Sequence, residues 1–224
     1  MKHLTRPTTI LTALAILLVP LCALAGGPLA AAPIGRATAD FDNARPEHAE
    51  TAFGRLAADA LRNQTKADIA LVSAGAMRRG KISAGAIEGA NIDALLSFGD
   101  DEIVVLSITG AQLRAALERA VQAYPTNSPA FLHSSGFISE FNAQAAINRR
   151  VTMVRINGRE VSDGDNLKVA MPISLAEGAD GFFTIWNTKN VTRTGNSFSK
   201  TLASHIRARG EISPDATVRF KAQP

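Results

Sequence analysis

A β-branched run that leads directly into an amphipathic segment, across residues 102–123, constrains the fold of this chain more than any other feature. Residues 102–108 are rich in Ile and Val, which favours a strand. Thr109 is a suitable N-cap for a helix that begins after it. The apolar residues of that helix recur on one face, at Leu113, Ala116, Leu117, Ala120 and Val121. The sequence therefore predicts a helix that packs on a sheet.

Further short helices and strands are predicted along the chain, without an internal repeat. Glu50–Arg62 has apolar residues at helical spacing, and Gly85–Leu96 and Ser199–Arg209 are also predicted as helices. Asn157-Gly158 is typical of a two-residue β-hairpin turn. Short strands are predicted at Asp68–Val72, Phe131–Ser134, Val151–Ile156, Leu167–Met171 and Ala216–Lys221. This mixture predicts an α+β fold, with helices packed on a mixed β-sheet.

The first 25 residues have the pattern of a cleaved secretory signal peptide. Lys2 and Arg6 precede an apolar run from Ile10 to Leu21, and small residues lead to a predicted cleavage site after Ala25. The run is shorter than the roughly 20 apolar residues that a membrane-spanning helix needs. We therefore predict a secreted or periplasmic protein with no membrane span after signal cleavage, and an uncleaved anchor is the alternative.

Cysteine content excludes several kinds of chemistry. Cys22 is the only cysteine, and it lies inside the predicted signal. Lipidation at Cys22 is an alternative fate, although Leu21 is larger than the residue that usually precedes a lipid-bearing cysteine. After cleavage at Ala25 the chain would have no thiol. Disulfides, zinc-thiolate sites and cysteine nucleophiles are then excluded, so stability must come from a hydrophobic core.

The predicted mature chain is long enough for one domain. Cleavage would leave 199 residues (224 − 25), and the formal charge would fall from +4 to +2 because Lys2 and Arg6 leave without any acidic residue. Residues 26–40, rich in Ala, Gly and Pro, are predicted as a flexible leader, and residues 41–222 as the domain. There is no dense Lys/Arg stripe with interleaved aromatic residues, so a nucleic acid polymer is not an expected partner.

Three short segments rich in small residues occur in a fixed order along the chain. Patch 1 is Ser73-Ala-Gly-Ala-Met-Arg78, patch 2 is Ser97-Phe-Gly-Asp100, and patch 3 is Gly178-Ala-Asp-Gly-Phe182. Together they resemble the C-terminal domain of 5′-nucleotidases, in which they read roughly Asn-x-Gly-Gly-Ile-Arg, Pro-Phe-Gly-Asn and Gly-Gly-Asp-Gly-Tyr/Phe. In that family they form the pocket for the nucleoside end of the substrate. The resemblance spans nearly the whole predicted mature chain.

The resemblance implies a role for one residue of each patch. Arg78 would contact the nucleotide as a donor to an anion or carbonyl, Phe98 would stack on the base, and Asp180 would accept hydrogen bonds from the ribose hydroxyls. The alternatives are a surface arginine, a core phenylalanine and a simple Asp-Gly turn. The remaining residues expected at this substrate-binding site are Ser73, Gly75, Asp100, Gly136, Gly178 and Gly181.

The chain departs from the family pattern at four of the positions that can be matched. Ser73 and Asp100 each stand where the family has Asn, and Ser97 stands where it has Pro. An ionised Asp only accepts hydrogen bonds and adds negative charge to a pocket for an anion. Ser174 stands where the family has a second stacking Phe. Half of the aromatic sandwich is then missing, unless a neighbouring side chain replaces it, the candidates being Phe182, Phe183 and Leu175.

The sequence predicts no catalytic residue, metal ligand or cofactor in this chain. A dimetal phosphoesterase needs a cluster of His, Asp and Asn ligands. After the signal the only histidines are His48, His133 and His205, and none lies in a typical motif for such a centre. A histidine such as His133 in a segment of this kind is more often a packing or surface residue than a catalytic one. Nucleophile-elbow, phosphate-loop and His-Glu-x-x-His motifs are also absent.

We therefore expect a secreted nucleotide-recognition domain that acts in nucleotide breakdown. The expected partners are a nucleotide or nucleoside-like small molecule and a separate metallophosphoesterase chain that supplies hydrolysis, because no counterpart of the family's N-terminal catalytic domain is found in the sequence. One alternative is a stand-alone module that binds a nucleoside, a nucleotide or a related ligand outside the cytoplasm. Another is a structural domain whose pocket is vestigial.

Overall fold

The computed structural model describes residues 32–223, and these residues form fourteen strands and five α-helices. The strands are β1 (Gly35–Ala37), β2 (Phe41–Asn43), β3 (Ile69–Ser73), β4 (Gly80–Ile82), β5 (Gly85–Ile87), β6 (Glu102–Thr109), β7 (Leu132–Ser135), β8 (Ile138–Phe141), β9 (Val151–Ile156), β10 (Arg159–Glu160), β11 (Asn166–Pro172), β12 (Val191–Ser197), β13 (Glu211–Ile212) and β14 (Phe220–Ala222). The helices are α1 (Ala52–Thr65), α2 (Gly89–Leu95), α3 (Gly110–Val121), α4 (Ile173–Ala176) and α5 (Phe198–Arg209).

A five-stranded mixed sheet with the order β12-β6-β11-β3-β7 is the centre of the domain. Only β11 and β3 run parallel within it, and the other neighbours are antiparallel. Three smaller sheets have the orders β10-β9-β8-β14, β13-β1-β5 and β2-β4. The prediction of an α+β fold with helices packed on a mixed β-sheet is confirmed.

Side-chain alternation along β3 explains why both faces of the central sheet are covered. All five residues of this strand are buried. Ala70 and Val72 belong to the hydrophobic cluster that includes α1 and α5, whereas Ile69 and Leu71 belong to the cluster that includes α3. Successive side chains of a strand point to opposite faces, so each face of β3 packs against a different layer of helices. The end of this strand is therefore held firmly where patch 1 begins.

The helix predicted to follow the β-branched run, α3, begins at the expected residue. Thr109 accepts a hydrogen bond from the Gln112 amide at 3.2 Å, and the Gln112 side chain accepts one from the Thr109 amide at 2.8 Å. This reciprocal capping box satisfies two of the amides that a helix N-terminus leaves without partners. Because α3 follows β6 without an intervening loop, its position is fixed by the central sheet.

Two segments differ from the sequence expectations. Residues 35–37, expected in a flexible leader, form β1, which pairs with β5 and β13. Gly85–Leu96, expected as one helix, divides into β5 and α2. Both differences come from pairing with distant strands, which leaves no local periodic signal. The predicted signal at residues 1–25 and the first part of the leader lie outside the described residues.

Within residues 32–223, no helix has both the length and the apolar character that crossing a membrane requires.

Candidate functional site

Patch 1 is the continuation of β3 beyond the edge of the central sheet. Ser73 is the last residue of the strand and is buried. The chain then forms a short 3₁₀ helix, Ala74–Ala76, which two backbone hydrogen bonds fix to the segment before β7. The side chain of Arg78 is exposed at the end of the patch. A buried strand thus delivers an exposed guanidinium to the surface.

Patch 2 lies beside patch 1. The Arg78 amide donates to the Leu95 carbonyl at 2.9 Å, and the Ser97 amide donates to the Ala76 carbonyl, also at 2.9 Å. These two bonds align the two segments as a short antiparallel pair, which places Arg78 close to the start of patch 2. The structure therefore brings together two patches that the sequence separates.

The ring of Phe98 is presented to solvent. Its side chain is 60% exposed, which excludes the alternative of a core phenylalanine. A turn closed by the Asp101 amide and the Phe98 carbonyl, at 3.1 Å, holds the backbone. The start of α5 braces the same loop, because the Ser199 amide donates to the Gly99 carbonyl at 2.9 Å. An exposed aromatic ring on a braced loop is suited to stack on a flat ligand.

A cleft of about 400 Å³ opens between patch 1, patch 2 and the start of α5. Its charged lining residues are Arg78, Asp93, Asp100 and Lys200. Asp93 accepts a hydrogen bond from the Ser199 hydroxyl. Within the part of the chain that the structure describes, Arg78, Asp100 and Lys200 form no ion pair. Two cations and one carboxylate are therefore available to a ligand there.

Patch 3 has a tightly turned backbone. Gly178, Asp180 and Gly181 have φ values of 98°, 57° and 88°, all in the left-handed region. A Cβ atom on Gly178 would lie 2.5 Å from the Cα of Phe183, so no larger residue fits there. Asp180 is the only one of the three with a side chain. A left-handed backbone costs conformational energy for such a residue, and strained residues of this kind are common at binding sites.

The carboxylate of Asp180 lies against patch 1. A Cβ atom built on Gly75 would be 2.7 and 2.8 Å from the two carboxylate oxygens. The hydrogen bonds of Asp180 among residues 32–223 are accepted by its backbone carbonyl, so the carboxylate oxygens are available as acceptors. Patches 2 and 3 thus both adjoin patch 1.

One of the expected site residues lies elsewhere. Gly136 follows β7, in which Ser135 pairs with Ala70 and Leu132 pairs with Ser73. Gly136 lies one residue beyond Ser135 and is therefore at the opposite end of β3 from Ser73, a separation of about 13 Å for four strand residues. Its backbone packs against Asp68 and Arg62. The structure brings Ser73, Gly75, Arg78, Phe98, Asp100, Gly178, Asp180 and Gly181 together and leaves Gly136 outside the group.

Ser174 stands where the family has a second stacking Phe, and one exposed aromatic residue is a candidate to replace that ring. Ser174 itself is half-buried, and its amide donates to the Asp101 carboxylate at 3.3 Å, beside patch 2. Phe182 is fully buried and stacks on Trp186 with the ring centroids 5.1 Å apart, and Leu175 is also buried. Phe183 is 71% exposed. Of the three candidate side chains, Phe183 alone is exposed to solvent.

His133 is a packing residue, which is one of the two non-catalytic roles that the sequence favoured. It is fully buried, its Nε2–H donates to the Pro46 carbonyl at 3.0 Å, and its ring lies against the backbone of Gly54. Burial lowers the pKa of His133 to about 4, so the ring is neutral near pH 7.

Among residues 32–223 there is also no group of three or more His, Cys, Asp and Glu side chains placed to hold a metal ion.

Two residues near the site were not predicted from the sequence. Lys200 lines the cleft from the first turn of α5, and Arg119 on α3 donates two hydrogen bonds to the Asp180 carbonyl. Both belong to ordinary amphipathic helices, in which an exposed Lys or Arg is expected on the polar face. No local signal distinguishes them, because their role depends on contacts with residues distant in sequence.

Comparison with known proteins finds relatives among 5′-nucleotidases. The family model described as 5′-nucleotidase, C-terminal domain, matches residues 33–187. A curated 5′-nucleotidase of Diplobatis ommata is 28% identical over 138 residues, which is 58% of this chain and 24% of that protein. The chain thus spans about a quarter of that relative's length.

Solved structures share the fold. A 5′-nucleotidase precursor from Thermus thermophilus superposes with a TM-score of 0.79 at 22% identity, over 86% of this chain and 40% of that one. A Haemophilus influenzae NAD nucleotidase superposes with a TM-score of 0.74 at 18% identity, over 86% of this chain and 38% of that one. The family match covers more than half of the sequence, and the chain belongs to the 5′-nucleotidase C-terminal domain family.

Proposed function

We propose that this domain recognises a nucleotide or nucleoside at the surface formed by patches 1, 2 and 3. The observation that carries the proposal is that patches 2 and 3, which hold an exposed ring and a carboxylate, both adjoin patch 1, which holds an exposed guanidinium. Arg78 ends patch 1, the backbone of patch 1 pairs with that of Leu95 and Ser97 just before Phe98, and the carboxylate of Asp180 lies against Gly75 of patch 1. A nucleotide has an anion, a flat base and vicinal hydroxyls, so each group has a counterpart in such a ligand.

Each of the three side chains supplies a different kind of interaction. Arg78 offers a fork of N–H donors to a phosphate or carbonyl oxygen. Phe98 offers a face for base stacking, which contributes about 1–3 kcal/mol per base in single-strand binders. Asp180 offers two acceptor oxygens to ribose hydroxyls. Orientation and affinity, rather than bond breaking, are what these groups provide.

Hydrolysis is proposed to depend on a dimetal phosphoesterase centre supplied by a separate polypeptide. The relatives are named as nucleotidases. A metal-dependent phosphoesterase generates a hydroxide nucleophile between cations held by His, Asp and Asn. The donor set of residues 32–223 does not fit such a centre, so this domain would position the substrate for a partner. The predicted signal at residues 1–25 supports a secreted or periplasmic location for substrate recognition.

A stand-alone binding module is the second candidate function. It is favoured by Asp100, which lines the cleft with Arg78 and would repel a simple anion. A ligand that combines an anion with hydrogen-bond donors would satisfy both groups. In this case binding would be measurable, but no phosphoesterase would be stimulated by the domain.

Titration calorimetry with AMP and adenosine tests the proposed function. We expect saturable binding that weakens in Phe98→Ala and Asp180→Ala for both ligands. Arg78→Ala should weaken AMP more than adenosine, by about tenfold for the loss of one charge-assisted contact. Arg79→Ala is the matched control, because Arg79 is adjacent but pairs with Glu47 at 3.1 Å. Absence of binding to every nucleoside and nucleotide would refute the proposal and favour a vestigial pocket.

The requirement for a partner is tested separately. The mature protein is mixed with a metallophosphoesterase domain from a relative of known activity, and phosphate release from AMP is measured. Stimulation that Asp180→Ala abolishes would support the split-enzyme form of the proposal. Binding without stimulation would favour the stand-alone module.

A further inference from the structure

We propose that Arg119 is a positioning residue, which orients the Asp180 carboxylate and thereby sets how well the domain distinguishes a ribose from a sugar that lacks the 2′ and 3′ hydroxyls. This inference rests on the proposed function, because it concerns the same ligand surface. Arg119 lies on α3, outside the three patches, and acts through Asp180 rather than on the ligand.

The guanidinium of Arg119 is held by two hydrogen-bond acceptors, one on Asp180 and one on Gln122. Its Nε and Nη2 atoms donate to the Asp180 carbonyl oxygen at 3.1 and 2.7 Å. Its Nη1 atom donates to the Gln122 side-chain oxygen at 2.7 Å. The planar fork therefore approaches the carbonyl from one direction, and α3, itself held on the central sheet, determines that direction.

The backbone that receives these bonds is strained. Asp180 has φ 57° and ψ 18°, a left-handed conformation that costs energy for a residue with a Cβ atom. Gly181 is also left-handed, and a Cβ atom there would lie 2.5 Å from Nη2 of Arg119. The absence of a side chain at Gly181 leaves the space that the guanidinium occupies. A glycine at position 181 is therefore needed for Arg119 to reach the Asp180 carbonyl.

The position of the Asp180 carboxylate depends on this backbone. The carbonyl and the Cα–Cβ bond belong to the same residue, so fixing the carbonyl in the left-handed conformation fixes the direction in which the side chain leaves. That direction places the carboxylate oxygens against Gly75. Without Arg119, the loop would be free to relax to a less strained conformation, and the carboxylate would point toward the ligand for only part of the time.

A purely structural role for Arg119 would have a different consequence. If Arg119 only stabilised the fold, its loss would lower the melting temperature and weaken all ligands equally. A positioning role instead predicts a loss confined to the sugar hydroxyls. Comparing adenosine with 2′,3′-dideoxyadenosine isolates this effect, because the two ligands share the base and differ in the groups that Asp180 would bind.

The experiment measures the affinities of both ligands for the wild-type protein, Arg119→Ala, Arg119→Lys and Asp180→Ala. Wild type should prefer adenosine by about tenfold or more, the size expected for hydrogen bonds to a charged acceptor. Arg119→Ala should reduce that ratio to about twofold and leave the affinity for 2′,3′-dideoxyadenosine nearly unchanged, since the remaining contacts are intact. Arg119→Lys should keep part of the preference, and the double variant Arg119→Ala/Asp180→Ala should match Asp180→Ala alone.

Two further variants keep the test decisive. Arg114→Ala is the matched control, because Arg114 lies on the same helix and, with Arg119, lines a second surface pocket beside α3, but it contacts Asp163 instead. It should keep the wild-type ratio. Gln122→Ala releases the second anchor of the guanidinium and should lower the ratio even if Arg119→Ala does not fold.

A folded Arg119→Ala protein that keeps the wild-type preference for adenosine would overturn the inference and leave the proposed function intact. A wild-type protein that binds neither ligand would overturn the proposed function and this inference together.

Discussion

The backbone of Gly75 lies against the carboxylate of Asp180, so that a Cβ atom on Gly75 would be 2.7 and 2.8 Å from the two carboxylate oxygens. Patch 1 and patch 3 therefore meet without room for a methyl group between them. Gly75 does not have a left-handed backbone, so its lack of a side chain serves this close approach rather than an unusual turn.

Replacing Gly75 with Ala should damage binding more than folding. The new methyl group would push the Asp180 side chain away from its position, and we expect the affinity for adenosine to fall by about tenfold or more. The stability should fall by about 1–3 kcal/mol, which is typical of overpacking. Calorimetric titration and thermal unfolding measure the two effects.

Gly164→Ala is the control for this substitution. Gly164 also lacks a left-handed backbone, and a Cβ atom there meets no other atom within 4 Å. Its replacement should change neither affinity nor stability appreciably. Equal affinities for the Gly75→Ala and Gly164→Ala proteins would show that the contact with Asp180 does not matter for the ligand.

The charges of the cleft lead to a second prediction, concerning Asp100 and Lys200. Both line the cleft that contains Arg78. Asp100→Asn removes a repulsive charge and should raise the affinity for AMP, whereas Lys200→Ala should lower it, each by about two- to fivefold because the groups are solvent-exposed. Adenosine should respond little to either change.

Salt dependence provides the check on this second prediction. The difference between the variants should shrink as ionic strength rises from about 0.01 to 0.15 M, since the screening length falls from about 30 to 8 Å. An Asp100→Asn protein that binds AMP more weakly than wild type at low salt would show that Asp100 accepts a hydrogen bond from the ligand.

The sequence predicted the elements that depend on local pattern and missed those that depend on distant pairing. The capping residue Thr109 and the apolar stripe of α3 are local, and both were found. Strand β1 was missed because its partners β5 and β13 lie far along the chain. The same distinction applies to the site. Patch motifs pointed to Arg78 and Asp180, but the support of Asp180 by Arg119 depends on how α3 packs.

A third prediction concerns stability at acidic pH and depends on His133. Its folded-state pKa of about 4 lies below the ordinary value of 6.5, so between these values the unfolded chain binds more protons than the folded protein. The free energy of unfolding therefore has its full value above about pH 6.5 and decreases as the pH falls toward 4, because protons bind to the unfolded chain first. The loss should be on the order of 3 kcal/mol, from about 1.36 kcal/mol per pKa unit.

Denaturant unfolding between about pH 7 and pH 4 measures this loss in wild type and in His133→Phe. The variant lacks the titrating ring and should lose less stability over this range, although the removed hydrogen bond to the Pro46 carbonyl lowers its stability at neutral pH. Some pH dependence should persist, because burial also lowers the pKa of His205 to about 4. Identical pH dependence in the two proteins would contradict the assignment to His133.

The last prediction is that Phe183 supplies the second aromatic surface of the ligand site. Phe98 and Phe183 are the exposed phenylalanines of the described residues, and they belong to the loops of patches 2 and 3. Each ring should contribute about 1–3 kcal/mol of stacking, so Phe183→Ala should weaken adenosine binding by about fivefold or more, as should Phe98→Ala. Ile147→Ala is the control, since Ile147 is a similarly exposed apolar residue outside the patches.

A rescue experiment distinguishes stacking by Phe183 from a general effect on the loop. Ser174→Phe restores an aromatic side chain at the position beside patch 2, where the Ser174 amide contacts Asp101. In the Phe183→Ala background this substitution should recover much of the lost affinity, because a second ring is again available to the base. If Phe183→Ala binds adenosine as tightly as wild type, the base stacks on Phe98 alone, and the residue at position 174 then determines whether a second surface exists at all.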